Sequence, residues 1–96
     1  STLNQIGSVV TERLQVSNKK IYGKSRVMDV ANARQIAMYV AREITKNSLG
    51  VIGKHFGNRD HSTVIHACKN IEDKLANDAH LNKTIEQIKD KLEQEI

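Results

Sequence analysis

Apolar residues recur along the chain at the three- and four-residue spacing of amphipathic helices, which predicts an all-helical fold. The first apolar face, over residues 2–15, consists of Leu3, Ile6, Val9 or Val10, and Leu14. A short second helix is predicted around Lys19–Tyr22, with Ser17 or Asn18 as its N-cap. Gly23 would end it in a left-handed conformation.

A third helix is predicted over residues 31–46, with Asp29 or Asn32 as its N-cap. Its apolar face consists of Ala33, Ile36, Ala37, Val40, Ala41 and Ile44, whereas Arg34, Gln35 and Arg42 lie off that face. The pattern therefore predicts a helix that is core on one side and basic on the other. A last helix, over about residues 80–96, places Leu81, Ile85, Ile88, Leu92 and Ile96 inward and is interpreted as a support element.

A helix-turn-helix pattern occupies about residues 48–76. A short helix from about Leu49 to His55 is followed by Gly57-Asn58, a strong turn signal, and Asp60 is a candidate N-cap for the next helix. The inward face of that helix consists of Val64, Ala67 or Cys68, Ile71 and Leu75. The remaining polar residues collect in the turn and at the amino end of the helix. A helix that reads the major groove of DNA needs polar donors and acceptors at its amino end. We therefore interpret this element as a recognition helix.

Length and composition restrict the class of protein. The 96 residues suit one domain, over residues 1–96, and the absence of proline favours helices. A single cysteine, Cys68, suits a reducing compartment, and no run approaches 18 apolar residues. We expect a cytosolic-type domain cut from a longer protein, because the chain starts at Ser1 without a methionine.

Positive charge is concentrated in the middle of the chain. The net charge is +4, and residues 19–71 carry ten Lys or Arg against three Asp or Glu. A basic loop, over about residues 19–27, contains Lys19, Lys20, Lys24 and Arg26. It is either a solvated surface or a set of phosphate contacts with an arginine that reaches a narrow minor groove. The acidic last third should lie away from DNA.

Catalytic and metal-binding interpretations do not fit the spacing. Gly50 to His55 resembles a phosphate-binding loop, but the glycines are too close together and His55 replaces the magnesium-binding hydroxyl. Helical spacing puts His61, His66 and Cys68 on different sides of one helix, which argues against zinc. Cys68 is predicted to be a small core residue rather than a nucleophile.

Three stretches carry a family resemblance. Ala33 to Tyr39, then Ser48-Leu49 with Ile52-Gly53 and Phe56-Gly57, then Arg59-Asp60-His61-Ser62-Thr63-Val64-Ile65-His66-Ala67 resemble the C-terminal DNA-binding domain (domain IV) of the bacterial chromosomal replication initiator DnaA. The resemblance covers essentially the whole chain and is densest from Ala31 to Glu72. It implies a compact, Trp-repressor-like helical domain that binds DnaA boxes, short asymmetric duplex elements of TTATNCACA type, at a replication origin.

The resemblance also implies residue roles, carried over by matching position. Base contacts would come from Arg26 in the minor groove and from Asp60, His61, Ser62 and Ile65 in the major groove. Backbone contacts would come from Lys24, Arg34, Gln35, Arg42, Leu49, Arg59, Thr63, His66 and Lys69.

The implied partner is double-stranded DNA, bound by a monomer without metal, catalysis or membrane contact. ATP and self-assembly would belong to other domains of a cytoplasmic, nucleoid-associated bacterial protein.

Some positions depart from the family pattern, and two other functions stay open. Gly50 stands where many members have proline, Asn58 follows Gly57 where glycine or lysine is common, and Ser25, Met28 and Asn70 stand where basic residues are frequent. One alternative is another helix-turn-helix regulator, which would dimerise and read a palindrome. The other is a basic helical protein-interaction module.

Overall fold

The computed structural model describes residues 2–25 and 27–94, and within them the chain forms six α-helices and no strand. In chain order they are α1 (Leu3–Leu14), α2 (Asn18–Ile21), α3 (Met28–Ile44), α4 (Leu49–His55), α5 (His61–Leu75) and α6 (Ala79–Gln94). The predicted all-helical fold is confirmed. Arg26, the predicted minor-groove arginine, and Ile96, the predicted last apolar residue of the final helix, lie outside the described residues.

The first two helices begin at side-chain caps. Thr2 accepts a hydrogen bond from the Gln5 amide and Gln5 bonds back to Thr2, which forms a capping box. Ser17 caps α2 by accepting from the Lys20 amide. The predicted left-handed ending at Gly23 is wrong, because α2 ends at Ile21 and is followed by Tyr22 in a right-handed conformation, and Gly23 does not have a positive φ.

Helix α3 lies at the centre of the fold and contacts each of the other five helices. It begins three residues before the predicted start, because Val30 is buried and extends the apolar face toward the amino end. The predicted caps Asp29 and Asn32 are wrong, since both lie inside the helix and Val27 precedes it without a side-chain hydrogen bond.

The helix is buried on more sides than the pattern predicted. Met38 and Tyr39 are buried together with Ala33, Ile36, Ala37, Val40 and Ala41. Ile44, predicted to face inward, is 38% exposed because it lies in the last turn, beyond the packed centre. A one-sided face was predicted because the sequence pattern cannot show that a helix has neighbours all around it.

The last helix packs against α1, α3 and α5 and buries Thr84, Ile85, Ile88 and Leu92. Arg13 on α1 donates two hydrogen bonds to Gln87 Oε1 on α6, at 2.6 and 3.0 Å. These contacts attach α6 to the core. The core thereby holds α3, α4 and α5 in fixed positions relative to one another.

Candidate nucleic-acid interface

The turn between α4 and α5 depends on close backbone approach at two glycines. The Arg59 amide donates to the Gly53 carbonyl at 2.8 Å, and a Cβ on Gly53 would collide with the Arg59 carbonyl oxygen. Gly57 and Asn58 both have positive φ, of 100° and 57°. Glycine adopts this region freely and asparagine tolerates it, so the expected turn forms with Asn58 at its second position.

Asp60 caps the amino end of α5, as predicted. Its Oδ1 accepts from the Thr63 amide at 3.0 Å and from the hydroxyls of Ser62 and Thr63 at 2.9 and 3.1 Å. These hydrogen bonds lower the pKa of Asp60, the backbone bond from Thr63 contributing most. The carboxylate is therefore charged at neutral pH and held at a defined orientation.

The predicted base-contact residues that the structure describes lie together on the outer surface of α5. His61, Ser62 and Ile65 are exposed, and Ile65 keeps 44% of its surface accessible, while Val64, Ala67, Cys68 and Ile71 of the same helix are buried. Helical spacing places Ile65 one turn after both His61 and Ser62. The helix thus presents donors, acceptors and one apolar group on a single exposed surface.

Thr63 and His66 lie at the edge of that surface, where α5 faces α3. With Gln35 and Asn70 they line a shallow cleft between the two helices, and Asn70 Nδ2 donates to Gln35 Oε1 at 2.6 Å. In the sequence, Asn70 stands out only as a non-basic residue at a position where basic residues are frequent in the family. Its role as the partner of Gln35 could not be found from spacing, because the two residues are 35 positions apart.

Two predicted phosphate contacts are engaged in charge pairs on the surface. Arg42 Nη1 lies 3.5 Å from Glu72 Oε1, and Lys69 Nζ lies 3.4 Å from Asp73 Oδ1. All four side chains are about half exposed or more. Such pairs contribute only about 0–1 kcal/mol, so both cations can exchange a carboxylate for a phosphate.

Arg34 does not lie where the sequence pattern placed it. It is only 5% exposed, and its guanidinium donates to the carbonyls of Lys20, Ile21 and Ser25. The prediction that it lies off the buried face is wrong, because α2 and the basic loop cover that side of α3. The phosphate contact that the resemblance implies for Arg34 stays a prediction.

Arg59 is half-buried in the turn before α5. Its Nη1 donates to the Phe56 carbonyl at 2.7 Å and its Nη2 donates to the Gly23 carbonyl at 3.1 Å. Burial lowers its pKa. Lys24, by contrast, is exposed, while the Leu49 side chain is partly buried against the core.

Three further features of the structure concern the cysteine, metal binding and membrane-crossing helices. Cys68 is fully buried and burial raises its pKa, as expected for a core thiol. In the described part of the chain, no group of three or more His, Cys, Asp or Glu side chains could hold a metal ion. None of the described helices is both long and apolar enough to cross a membrane.

The short α4, the tight glycine turn and the exposed polar end of α5 define a helix-turn-helix DNA-binding domain. Comparison with known families identifies the family to which this domain belongs. Residues 3–71 match the family described as "Bacterial dnaA protein helix-turn-helix", and the chain belongs to that family. DNA binding is the function that this membership implies.

Three relatives of the chain are replication initiator proteins. The chain is 42% identical to the chromosomal replication initiator protein DnaA of Chlorobaculum tepidum, 46% to that of Streptococcus agalactiae and 47% to that of Streptococcus thermophilus. The matches cover 96%, 90% and 94% of this chain. They cover only 19%, 22% and 20% of the relatives, so the chain spans about a fifth of their length.

Proposed function

We propose that this domain recognises DnaA boxes of TTATNCACA type as a monomer and directs a replication initiator to the chromosomal origin. Helix α5 enters the major groove, and Arg26 on the basic loop enters the minor groove. The observation that carries the proposal is the exposed amino end of α5, where Asp60, His61, Ser62 and Ile65 lie on one outward surface. The similarity to replication initiators supports the origin as the target.

Asp60 combines two roles in this proposal. The three capping hydrogen bonds go to Oδ1, so Oδ2 is the oxygen that accepts from the exocyclic amine of cytosine or adenine. A charged carboxylate repels the acceptor edge of guanine, so Asp60 contributes specificity. Ile65 meets a thymine methyl group, because it is the exposed apolar side chain of the surface.

The backbone contacts place the domain on the duplex. Lys24, Gln35, Arg42, Thr63, His66 and Lys69 are assigned to phosphate oxygens, with the main chain of Leu49 at the start of α4. The Gln35–Asn70 hydrogen bond holds Gln35 by its oxygen, which leaves the Gln35 amide nitrogen as the donor toward phosphate. Arg34 and Arg59, to which the resemblance also gives backbone contacts, direct their guanidinium groups at main-chain carbonyls and are not assigned to phosphates in this proposal.

The domain itself is assigned no catalysis, metal or cofactor. ATP binding and self-assembly belong to the remaining four-fifths of a protein of the relatives' length. The complete protein is proposed to act in the bacterial cytoplasm, at the nucleoid.

Fluorescence anisotropy tests the proposal with a TTATCCACA duplex and a scrambled duplex of equal composition, at two salt concentrations. Specific binding typically exceeds non-specific binding by about three decades or more, and we expect at least a tens-fold preference from the isolated domain. Arg26→Ala should weaken box binding more than scrambled binding. Lys91→Ala, a change of equal charge on α6, is the matched control.

A test of Asp60 needs a variant that separates its proposed contact with a base from its role as the N-cap of α5. Asp60→Ser keeps a capping oxygen and removes the carboxylate, whereas Asp60→Ala removes both. We expect Asp60→Ser to lower the box preference roughly tenfold with little change in thermal unfolding. Equal binding of both duplexes by the unaltered domain, lost on adding salt, would instead assign the basic face to electrostatic attraction alone.

A further inference from the structure

Two arginine side chains from different elements hold the main chain of the basic loop. Arg34, on α3, donates from Nε to the Ile21 carbonyl at 2.9 Å, from Nη2 to Lys20 at 3.0 Å and from Nη1 to Ser25 at 3.1 Å. These acceptors run from the end of α2 to the residue immediately before Arg26. One buried guanidinium therefore fixes both ends of the segment that carries Lys24.

Arg59 connects the same segment to the helix-turn-helix. It bridges the Phe56 carbonyl, at the end of α4, and the Gly23 carbonyl, in the middle of the loop. Gly57 makes room for this bridge, because a Cβ at position 57 would collide with Arg59 Nη1 and lie 3.0 Å from the Gly23 oxygen. The turn before the recognition helix and the basic loop are thus joined through one side chain.

Arginine is the side chain suited to this arrangement. Its planar guanidinium offers five donors in a rigid fork and stays charged when partly buried, whereas lysine offers a single point charge on a flexible stem. The two guanidinium groups are close enough for Arg59 to lower the pKa of Arg34, after the larger effect of burial. Carbonyl acceptors offset this repulsion and the desolvation of both groups.

We propose that Arg34 and Arg59 form an arginine clamp that positions the basic loop relative to α5, so that the minor-groove and major-groove contacts fall in register on one duplex. The inference rests on the proposed function. Both arginines act as positioning residues through the loop that carries Arg26, and neither needs to touch a base. Residues 20–25, which these hydrogen bonds hold before binding, do not lose that conformational entropy on the DNA, which favours affinity and register.

The test uses Arg59→Lys and Arg34→Lys, which keep the charge and remove the fork. Arg13→Lys is the matched control, because Arg13 also uses its guanidinium to join two elements but does so between α1 and α6. Binding is measured by anisotropy on the TTATCCACA duplex and on two modified forms. In one, 2,6-diaminopurine replaces adenine and adds an amino group to the minor groove alone; in the other, 7-deazaadenine removes an acceptor from the major groove alone.

Both modifications should weaken binding by the unaltered domain and by Arg13→Lys. The penalty of a modification is this loss of affinity relative to the unmodified duplex. In the clamp variants we expect the diaminopurine penalty to fall roughly tenfold while the 7-deazaadenine penalty is kept. This split separates positioning from stability, because a merely destabilised domain that is still folded would keep both penalties. Circular dichroism at the assay temperature establishes that each variant is folded.

Two results would overturn the clamp: an unchanged diaminopurine penalty in both lysine variants, or an equal loss of affinity on every duplex, which is the behaviour of a phosphate contact. If Arg34→Lys does not fold, Arg59→Lys decides, because Arg59 is only half-buried and this substitution removes its fork alone. Failure of the proposed function is separate, since the unaltered domain would then not prefer the box to the scrambled duplex.

Discussion

At the scale of single residues, Gly53 is a position that has no room for a side chain. Its α-carbon lies against the backbone of Arg59, and a Cβ there would collide with the Arg59 carbonyl. We expect Gly53→Ala to open the turn between α4 and α5 and to destabilise the fold by about 1–3 kcal/mol, as overpacking does. Urea unfolding followed by circular dichroism measures this change.

The same helix supplies a control. A Cβ on Gly50 would meet open space, its closest neighbour being Ser48 Oγ at 3.9 Å. Gly50→Ala should therefore stabilise the domain, by about 0.5–1 kcal/mol, because alanine loses less backbone entropy in a helix. If Gly53→Ala left the free energy of unfolding unchanged, or raised it as Gly50→Ala is expected to do, the collision at Gly53 would be contradicted.

His55 makes stability depend on pH. It packs edge-on against Tyr22 and Phe56, its Nε2 is buried without a hydrogen-bond partner in the described structure, and burial lowers its pKa. The folded state favours the neutral imidazole. Its contribution to stability is therefore fully present above the ordinary pKa of about 6.5 and is lost as the pH falls below that value.

The urea midpoint should thus decrease between about pH 7.5 and about pH 5.5, the range in which histidine changes charge. His55→Gln should remove much of that decrease. The exposed His80 provides the comparison, and His80→Gln should behave like the unaltered domain. An identical decrease in all three proteins would assign the pH dependence to other groups.

At the scale of elements, α3 and α5 carry charges that compete with DNA. Glu72 on α5 holds Arg42 on α3, a proposed phosphate contact, at 3.5 Å. Glu72→Gln should raise the affinity for box and scrambled duplexes alike by about two- to fivefold at low salt, the size of an exposed ion pair. The preference for the box should stay the same, because phosphates carry no sequence information.

Anisotropy on the two duplexes measures this effect. Glu93→Gln, an equal change of charge near the end of α6, is the control and should raise affinity less. If the two variants gain equally, net charge rather than release of Arg42 accounts for the change.

At the scale of the whole molecule, charge is divided along the chain. The cations are concentrated in residues 19–71, whereas residues 72–96 carry four Lys or Arg against seven Asp or Glu. If about five ion pairs form with phosphates, log K should fall with log salt at a slope of roughly −4 to −5.

Sedimentation of the complex should show one domain per asymmetric box, and a stable dimer would favour a palindrome-reading regulator.

What the sequence determined was local. Hydrophobic spacing predicted the helices, Gly57-Asn58 predicted the turn, and Asp60 predicted the cap of α5, because each of these features depends on residues within a few positions of one another. The motif from Arg59 to Ala67 was specific enough to indicate the family, which the comparison confirmed.

What only the tertiary structure decided involves residues far apart in the chain. Arg34 and Arg42 look alike in the helical pattern, yet one is buried under the basic loop and the other is exposed beside Glu72. Arg59 bonds to Gly23 across 36 positions, and Asn70 bonds to Gln35 across 35. Spacing within one helix reports which face is apolar, but it does not report which neighbour covers the other faces, and that packing decides which arginines are available to DNA.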